Sequence, residues 1–278
     1  MKIRNTEFDF ENEKYIMGIL NVTPDSFSDG GHFDTVEKAV SHARQMIEEG
    51  VDIIDIGGES TRPGHTPLSS KEEMDRVLPV IEKIREFSDI PISIDTYKAE
   101  SMDLALSAGA DIANDIWGFK KDPDMKDVVK KHDSPVILMH NKEVAEYKDF
   151  KIDYVEDIKE SIKLAKEAGI GDDKIILDPG VGFAKNYKRD LQAIKYLDSY
   201  VKLGYPVLLA TSRKRFIGAA TGVDNPLDRL AGTIATTVYG ATLGASIFRV
   251  HDVKANKEAL AMTTEIMAEG KKKSSYNG

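Results

Sequence analysis

The feature that most constrains this chain is a repeated unit, a short apolar run that ends in a polar residue. The clearest example lies in residues 174–185, where the apolar run 175–177 meets Asp178, a proline and two glycines. A buried strand that stops at a carboxylate and opens into a glycine-rich loop is typical of the active-site end of a strand in an α/β protein. The same plan recurs at residues 53–58, 92–96, 112–116 and 207–211.

The apolar runs predict eight strands, and a helical pattern follows each of them. The strands are predicted at residues 15–20, 52–56, 91–94, 112–115, 135–140, 175–177, 206–210 and 245–250. The helices are predicted at residues 35–49, from Ser69 or Ser70 through Ile84, and at 99–107, 123–131, 155–168, 190–203, 226–243 and 255–267. Eight strand–helix repeats in 278 residues predict a (β/α)8 barrel.

A doubly wound open sheet is the alternative fold. It usually has fewer strands, and a GxGxxG fingerprint follows its first strand. Neither Gly30-Gly31 nor Gly57-Gly58 provides that fingerprint. We therefore predict one barrel domain over residues 1–270, in which residues 1–14 form a small hairpin at one barrel end. The basic tail 271–278 is predicted to be disordered and receives no role.

Composition excludes several classes of function. The chain has no cysteine, which excludes disulfides, a thiolate nucleophile and zinc–sulfur sites. Its net charge of −9 argues against general nucleic-acid binding. No apolar stretch has the length of a membrane span, and the N-terminus lacks the pattern of a signal peptide. We expect a cytoplasmic location.

In a (β/α)8 barrel, the residues at the C-terminal strand ends share one face. The polar residues at these ends are Asn21, Glu59, Thr61, Arg62, Asp95, Asn114, His140, Asp178, Lys214, Arg249 and His251. The carboxylates and amides suit an amino group beside a ring N–H, and the cations suit a phosphate or a carboxylate. The pattern therefore predicts a flat hydrogen-bonding ring bound next to an anion.

The chain lacks the motifs Gly-x-Ser-x-Gly and His-Glu-x-x-His and a P-loop lysine, which leaves positioning and electrostatics as the means of catalysis. Several residues keep two interpretations. We interpret Asp55 as a buried structural partner, and we expect Asn114 rather than its neighbour Asp115 to face the barrel mouth. His140 is as often a core group as a ligand. The three cations at positions 213–215 would repel one another unless they face an anion or spread apart.

Two long motifs resemble the signatures of the dihydropteroate synthase family, at residues 17–31 (MGILNVTPDSFSDGG) and 55–64 (DIGGESTRPG). Further matches follow in the family's order over residues 15–252. They are SIDT at 93–96, ND at 114–115, MHN at 139–141, LDPGVGFAK at 177–185, TSRK at 211–214 and RVH at 249–251.

The resemblance implies a (β/α)8 barrel and a transferase of folate biosynthesis that sulfonamides inhibit. It would join 4-aminobenzoate to (7,8-dihydropterin-6-yl)methyl diphosphate and release diphosphate. The resemblance also implies Mg²⁺ as cofactor and a homodimer. A dissociative mechanism fits these substrates: diphosphate leaves first, Asp95 stabilises the positive charge on the pterin methylene, and the neutral aniline nitrogen then attacks.

The resemblance assigns the site residue by residue. It places on the pterin Asp95, Asn114, Asp178 and Lys214, with Met139 packed on the ring. It places on the diphosphate Asn21, Arg249 and His251, with Asn21 also holding Mg²⁺. It also implies mobile loops that close over 4-aminobenzoate, formed by Thr61, Arg62, Pro63, Phe27 and Phe183. The catalytic residues would be Asp95, Lys214 and Asn21. One departure is Arg215, where many members of the family carry serine.

Two other functions compete with this one. A barrel that transfers a methyl group from methyltetrahydrofolate to a corrinoid protein shares the pterin-reading carboxylates. It does not need the diphosphate-binding residues Arg249, His251 and Asn21, which argue against it. A non-catalytic pterin-binding homologue would have lost its loops, but both long loop motifs are intact here.

Overall fold

The structure, a computed structural model, describes residues 1–23, 32–59 and 67–269, with residues 32–34 as backbone. Its central feature is an eight-stranded parallel sheet, accompanied by a two-stranded antiparallel hairpin near the N-terminus. The strands are β1 (Lys2–Ile3), β2 (Thr6–Glu7), β3 (Tyr15–Asn21), β4 (Ile53–Gly57), β5 (Ile92–Asp95), β6 (Ile112–Asp115), β7 (Val136–Met139), β8 (Ile175–Asp178), β9 (Leu208–Leu209) and β10 (Ile247–Val250).

The eight parallel strands form a barrel. Their hydrogen-bonded order is β8-β7-β6-β5-β4-β3-β10-β9, so neighbours in space are also neighbours along the chain, apart from the join of β3 to β10. An isolated parallel bridge between Leu177 and Val207, with a 2.9 Å hydrogen bond from the Leu177 amide to the Pro206 carbonyl, brings β8 to β9. This bridge closes the ring and confirms the predicted (β/α)8 fold.

Helices lie between the strands. They are α1 (His32–Glu48), α2 (Ser70–Arg85), α3 (Ala99–Ser107), α4 (Met125–Lys131), α5 (Phe150–Glu167), α6 (Tyr187–Lys195), α7 (Asp198–Val201), α8 (Arg215–Thr221), α9 (Leu230–Thr242) and α10 (Val253–Ala268). Short 3₁₀ turns occupy Asp172–Lys174 and Pro226–Asp228. Within the described ranges, none of the helices combines the length and the apolar character needed to cross a bilayer.

The start of α2 shows how local sequence sets a helix boundary. The Ser69 hydroxyl accepts a hydrogen bond from the Glu72 amide, and the Glu72 carboxylate accepts one from the Ser69 amide. This reciprocal capping box satisfies two amides that would otherwise lack partners, and such a cap contributes about 1 kcal/mol. Of the two serines considered, Ser69 is therefore the cap.

Two helix predictions were wrong in detail. The helix predicted at 190–203 is interrupted, because Tyr196 leaves helical geometry with φ −101° and ψ 21°, and the segment forms α6 and α7. The helix predicted at 226–243 begins as a 3₁₀ turn that starts with a proline, and α9 follows it. Helix α8 lies partly in a segment that we predicted as a loop.

The hairpin fills the N-terminal end of the barrel, as predicted. Ile3, Phe8 and Phe10 are buried, and they pack with the residues that the strands direct into the barrel interior. The ring centroids of Phe8 and Phe10 lie 5.4 Å apart, and those of Phe8 and Tyr15 lie 4.8 Å apart in an edge-to-face arrangement. This end is therefore a packed apolar core, so any site of the barrel must lie at the opposite end.

Candidate active site

The pleat of the strands explains why polar residues meet at the other end. Alternate residues of a strand point to the same face, so a residue two positions beyond an interior residue also points into the barrel. The lower interior positions include Ile53, Ile112, Ile176 and Ile247, which belong to the apolar cluster with the hairpin. Two residues further along the same strands lie Asp55, Asn114, Asp178 and Arg249. One register step therefore changes the barrel interior from apolar to polar.

One side of this rim, here called the arginine half, consists of Asp55, Asp95, Asn114 and Arg249. Arg249 Nε donates to Asp55 Oδ2 at 2.6 Å, and its Nη2 donates to Asp95 Oδ2 at 2.8 Å. The Asn114 amide donates to Asp55 Oδ1 at 3.2 Å. Burial alone would lower the pKa of Arg249, but the two carboxylates raise it above its ordinary value, so this cation stays charged.

Asp95 is the least satisfied group of the arginine half. Its Oδ1 is buried and has no hydrogen-bond partner among the described residues. Burial raises the pKa of Asp95 to about 7, and the neighbouring Arg249 opposes that shift. A buried acceptor without a partner is rare in proteins, and at an active site it marks the place of a ligand donor.

Asn21, at the end of β3, lies beside Asp95. A Cβ placed on Gly57 would stand 3.6 Å from Asp95 Cβ and 3.7 Å from Asn21 Oδ1, so the two side chains flank this glycine. Asn21 itself is exposed. The end of β3 therefore contributes the accessible amide oxygen of Asn21 to the rim, next to the Asp95 carboxylate of the arginine half.

The other side of the rim, here called the lysine half, consists of Asp178, Val181, Phe183 and Lys214. Asp178 is buried, and its Oδ1 accepts a 2.7 Å hydrogen bond from the Gly180 amide. The Lys214 ammonium donates to the Val181 carbonyl and lies 5.1 Å from the centre of the Phe183 ring. Burial lowers the pKa of Lys214 to about 8, partly opposed by Asp178, while burial raises the pKa of Asp178.

The three consecutive cations 213–215 spread apart. Arg213 forms a two-point ion pair with Asp252, with distances of 3.1 Å from Nε and 2.6 Å from Nη2. Lys214 belongs to the lysine half, and Arg215 is exposed at the start of α8. Nearby, the Ser212 hydroxyl accepts from the His251 amide at 3.2 Å and lies 2.9 Å from His251 Nδ1. Since that oxygen accepts from the amide, its own proton is available to Nδ1.

The structure brings most of the predicted site residues to the rim. Met139 is buried at the end of β7 and pairs in register with Asp178. Asn114 rather than Asp115 faces the mouth, because the Asp115 carboxylate accepts hydrogen bonds from the backbone of its own turn, at Trp117 and Phe119. Four predicted residues lie outside the described residues, namely Phe27, Thr61, Arg62 and Pro63.

Asp55 is a buried structural partner, as the sequence predicted, and its carboxylate orients two predicted site residues, Arg249 and Asn114. Which side chains it would bind could not be predicted. Sequence reasoning missed Lys98, whose ammonium lies between the buried carboxylates of Glu59 and Glu73 and is held by both.

The Lys98 network ties the ends of two strand loops together. Glu59, just beyond β4, accepts hydrogen bonds from the Leu68 amide and from the Tyr97 hydroxyl, both at 3.1 Å. Nothing in the spacing of these residues along the chain pointed to this contact. Among the described residues, no group of three or more histidines, aspartates or glutamates could hold a metal ion, so Asn21 is the group considered below.

The fold and its polar rim define a class, the pterin-binding enzymes built on a barrel. Residues 17–251 match the model of the family described as "Pterin binding enzyme". The match covers β3 through the end of β10, which includes every strand that contributes to the rim.

Individual relatives narrow the class. The chain is 52% identical to a dihydropteroate synthase of Clostridium beijerinckii over 96% of this chain and 99% of the relative. It is 54% identical to that of Bacillus subtilis over 88% and 86% of the two chains. This chain belongs to the dihydropteroate synthase family, which confirms the predicted family.

Solved structures agree with this assignment. The dihydropteroate synthase of Clostridium difficile, determined in the presence of pteroic acid, superimposes with a TM-score of 0.91 at 50% identity, over 94% of this chain and 99% of that one. The enzyme of Xanthomonas albilineans with 4-aminobenzoic acid superimposes with a TM-score of 0.89 at 43% identity, over 92% and 94% of the two chains.

Proposed function

We propose that the polar rim is the active centre at which this protein condenses (7,8-dihydropterin-6-yl)methyl diphosphate with 4-aminobenzoate, giving 7,8-dihydropteroate and diphosphate. Membership of the dihydropteroate synthase family makes the protein a transferase of folate biosynthesis. The observation that carries the placement concerns Asp95: its Oδ1 is buried and has no hydrogen-bond partner in the part of the chain that the structure describes, and its Oδ2 is paired with Arg249. The cytoplasmic location remains a prediction from the sequence.

The pterin is held by both halves of the rim. Its amino group and ring N–H groups are donors, and Asp95 Oδ1 and the carboxylate of Asp178 are the matching acceptors. Asn114 and Lys214 supply donors to the carbonyl and ring nitrogens, and Met139 packs against the ring. The structure of the Clostridium difficile enzyme in the presence of pteroic acid supports this choice of ligand.

The diphosphate lies beside the pterin, at Asn21, Arg249 and His251. Arg249 stays charged because two carboxylates flank it, and it supplies the cation that an acidic protein needs at this point. The amide oxygen of Asn21 is the kind of hard ligand that Mg²⁺ prefers, but a single amide does not hold a resident ion. Asn21 would supply one oxygen ligand to a Mg²⁺ ion that arrives with the diphosphate. When bound there, Mg²⁺ would neutralise charge on the leaving group.

The chemistry is a dissociative substitution. The bond between the pterin methylene carbon and the diphosphate oxygen breaks first, and the electron pair leaves with the diphosphate. The electron-rich dihydropterin delocalises the resulting positive charge, and an ionised Asp95 stabilises it by direct electrostatics in a buried setting. The neutral aniline nitrogen then forms the new C–N bond and loses a proton, so no strong base is needed.

4-Aminobenzoate enters on the outer side of the pterin. Phe183 lies against the Lys214 ammonium and offers an apolar wall near the rim. Thr61, Arg62, Pro63 and Phe27 are assigned to the same substrate on the sequence resemblance, and their positions lie outside the described residues. The Xanthomonas albilineans structure with 4-aminobenzoic acid supports this substrate for the family.

The assay that tests the function follows diphosphate release from purified protein with the pterin diphosphate, 4-aminobenzoate and Mg²⁺. We expect turnover for the wild type and for Asp173→Asn, which alters an exposed carboxylate ahead of β8. We expect Asp178→Asn to raise KM for the pterin substrate. A folded wild-type protein that releases no diphosphate would reject the function. If the same preparation transferred a methyl group from methyltetrahydrofolate to a corrinoid protein, the competing assignment would replace it.

We also propose that the protein is a homodimer. Its helices α9 and α10, which pack against each other, both carry large exposed apolar side chains. Met262 and Ile266 lie one turn apart on α10 and are 60% and 63% exposed, and Tyr239 on α9 is 47% exposed. A second copy of the chain, with its own α9 and α10, presents a matching apolar surface, as a two-fold interface requires.

The oligomeric state can be tested with matched substitutions. Ile266→Glu places a charge on the proposed interface and is expected to convert a dimer into a monomer in light scattering. Ile152→Glu is the control, because Ile152 on α5 is 59% exposed but lies away from α9 and α10. A monomeric wild type, or a dimer that survives Ile266→Glu, would contradict the proposal.

A further inference from the structure

Lys185 lies in the loop between β8 and α6, and its position beside a glycine-rich segment makes it a candidate cation for binding an anion. In the structure its ammonium has three partners, all of them within the protein. Nζ donates to the Gly180 carbonyl at 2.9 Å, to the Phe183 carbonyl at 3.0 Å and to His140 Nδ1 at 2.8 Å. An ammonium has three protons, so these contacts use all of them. Lys185 therefore does not serve as a ligand for the diphosphate.

His140 accepts a hydrogen bond from Lys185 and connects it to Asp157. This histidine is fully buried, and its Nε2 lies 3.3 Å from Asp157 Oδ2. Burial and the nearby Lys185 lower the pKa of His140 to about 4, so the imidazole is neutral at neutral pH. Because Nδ1 accepts from the ammonium, the ring proton lies on Nε2 and faces Asp157.

Asp157 completes the series. Burial works against its charge, but hydrogen bonds from His140 and Lys142 outweigh that effect and hold the pKa of Asp157 at about 2. Lys142 Nζ donates to Asp157 Oδ2 at 2.9 Å. The carboxylate is thus ionised, fixes the histidine tautomer, and keeps Nδ1 free to accept from Lys185.

The segment that Lys185 holds is the β8–α6 loop, residues 179–186, and this loop carries the contacts of the lysine half. The Gly180 amide binds Asp178, the Val181 carbonyl accepts from Lys214, and the Phe183 ring lies under the Lys214 ammonium. The conformation is not one that the chain adopts freely, because Ala184 has φ +47°, in the left-handed region. Such a backbone persists only where surrounding contacts fix it.

We propose that Lys185, supported by His140 and Asp157, is a positioning residue that sets the β8–α6 loop and thereby places Asp178 and Lys214 for pterin binding. Lys185 touches neither the substrate nor those two side chains. It bonds to the carbonyls of Gly180 and Phe183, which bracket Val181 and Gly182. This inference rests on the proposed function of Asp178 and Lys214 as pterin ligands.

The arrangement requires a charged lysine. A neutral amine has two protons for three acceptors, so one of the bonds to the loop or to His140 would be lost. Desolvation lowers the pKa of Lys185 to about 7, opposed by Asp190 and Asp178, which shows how far the ammonium is withdrawn from water. The three acceptors replace the hydration that the ammonium loses.

The test compares Lys185→Met with Lys188→Met, which removes an exposed lysine on α6 by the same substitution. Calorimetry measures the Kd of each protein for 6-hydroxymethyl-7,8-dihydropterin, without diphosphate, and steady-state kinetics give both KM values. We expect Lys185→Met to weaken pterin binding and raise KM for the pterin diphosphate by about 10- to 100-fold. KM for 4-aminobenzoate should rise by a smaller factor than KM for the pterin diphosphate, because of the residues assigned to 4-aminobenzoate only Phe183 belongs to the β8–α6 loop. Lys188→Met should match the wild type.

The outcomes separate the inference from the proposed function. If the wild type does not bind the pterin probe, the assignment of the pterin site fails. If the wild type binds and a folded Lys185→Met binds equally well, the positioning role is rejected. Equal increases in both KM values would indicate a general structural role and would also reject it. If Lys185→Met does not fold, Lys185→Gln is measured instead, and failure of both to fold makes Lys185 a folding residue and overturns the proposal.

Discussion

The two halves of the rim are built differently. In the arginine half, side chains that project into the barrel from β4, β5, β6 and β10 bond to one another, and one guanidinium balances two carboxylates. In the lysine half, side chains bond to the backbone of the β8–α6 loop, and the loop is in turn bonded to Lys185. The first half is organised by charge and the second by loop conformation.

This difference decides which substitutions matter on each side. A carboxamide that replaces a carboxylate has nearly the same shape, so in the arginine half it changes charge and little else. In the lysine half, a change of loop conformation displaces two ligands at once, even when it leaves every charge in place. The substitutions below use this contrast, from the largest expected effect to the smallest.

Asp95→Asn should have the largest effect, because it removes the charge that stabilises the pterin methylene cation. We expect kcat to fall by about 100- to 1,000-fold, the range found when one preorganised electrostatic group is removed. The rate of diphosphate release at saturating concentrations of both substrates measures kcat. Asp89→Asn, at an exposed carboxylate ahead of β5, should leave kcat unchanged. Full turnover by Asp95→Asn would refute the role of the carboxylate.

Asp55→Asn should rank second, and its effect should appear in stability as well as in activity. The partly buried Arg249 would lose its ion pair with the fully buried Asp55, and breaking a buried ion pair from one side costs about 3 kcal/mol. Denaturant unfolding measures this loss. Asp75→Asn breaks an exposed pair with Lys71 and should cost less than about 1 kcal/mol. Similar losses in the two variants would show that Asp55 does not organise the arginine half.

Gly180→Ala tests the lysine half without changing any charge. Gly180 has φ +62°, and a Cβ there would overlap the His140 carbonyl oxygen, so the β8–α6 loop must shift. We expect the Kd for the pterin probe to rise by about 10-fold. Gly204→Ala carries a similar backbone cost, with φ +85°, but its Cβ would meet no described atom within 4 Å. Pterin binding should therefore weaken in Gly180→Ala and stay unchanged in Gly204→Ala. Equal Kd values for the two variants would refute the prediction.

The pH dependence of kcat/KM for the pterin substrate, which reports the groups of the free enzyme, should show changes of several-fold. Asp95, with a pKa of about 7, is ionised only above that pH, and Lys214, with a pKa of about 8, is charged only below it. Both conditions hold in a narrow window, and loss of the charge of Lys185, whose pKa is about 7, adds to the fall on the alkaline side. A bell-shaped profile is therefore expected between about pH 5.5 and about 9.5. A flat profile through pH 6 to about 8 would contradict the assignment of both groups.

The same shift of Asp95 has a consequence for stability. Its pKa is raised from 3.8 to about 7 on folding, so the native state binds the proton more tightly than the unfolded state. The contribution to stability is full below 3.8 and is lost as pH rises through about 7. Asp95→Asn should remove this part of the pH dependence of the unfolding free energy.

Arg215→Ser should have the smallest effect. Arg215 is exposed at the first position of α8, and the resemblance to the family implies serine at this position. Because the side chain lies at the surface, we expect KM for 4-aminobenzoate to change by no more than about two-fold. A larger change in that KM alone would place Arg215 on the substrate carboxylate.

The sequence predicted the strands and the rim for a simple physical reason. The pleat has a period of two residues, so an apolar interior that becomes polar near the strand end is visible in the letters alone, as at Ile176 and Asp178. Helix α3 was predicted with its observed bounds, because its apolar spacing is followed at once by Gly109. The interruption at Tyr196 was not predicted, because the apolar spacing of the segment continues across it.

The partners of the rim side chains could not be predicted. Arg249 could pair with any of three carboxylates near the mouth, and its choice of Asp55 and Asp95 depends on side-chain geometry across β4, β5 and β10. From the sequence, Lys185 could be interpreted as a cation available for an anionic ligand. Nothing in its local sequence shows that His140, 45 positions earlier, accepts a hydrogen bond from its ammonium. Sequence pattern identifies which residues reach the rim, and three-dimensional packing decides what each one binds.

The join between β8 and β9 has a consequence for motion. It consists of one bridge, at Leu177 and Val207, whereas β3 and β4 pair over five positions. The barrel should open locally at this seam first. The Leu177 amide should therefore exchange its hydrogen faster than the amides inside β3. Asp178 and Lys214 flank the seam on either side. A pterin bound to both residues would link β8 to the segment after β9. Pterin binding should therefore slow local opening between these strands and raise the melting temperature of the protein.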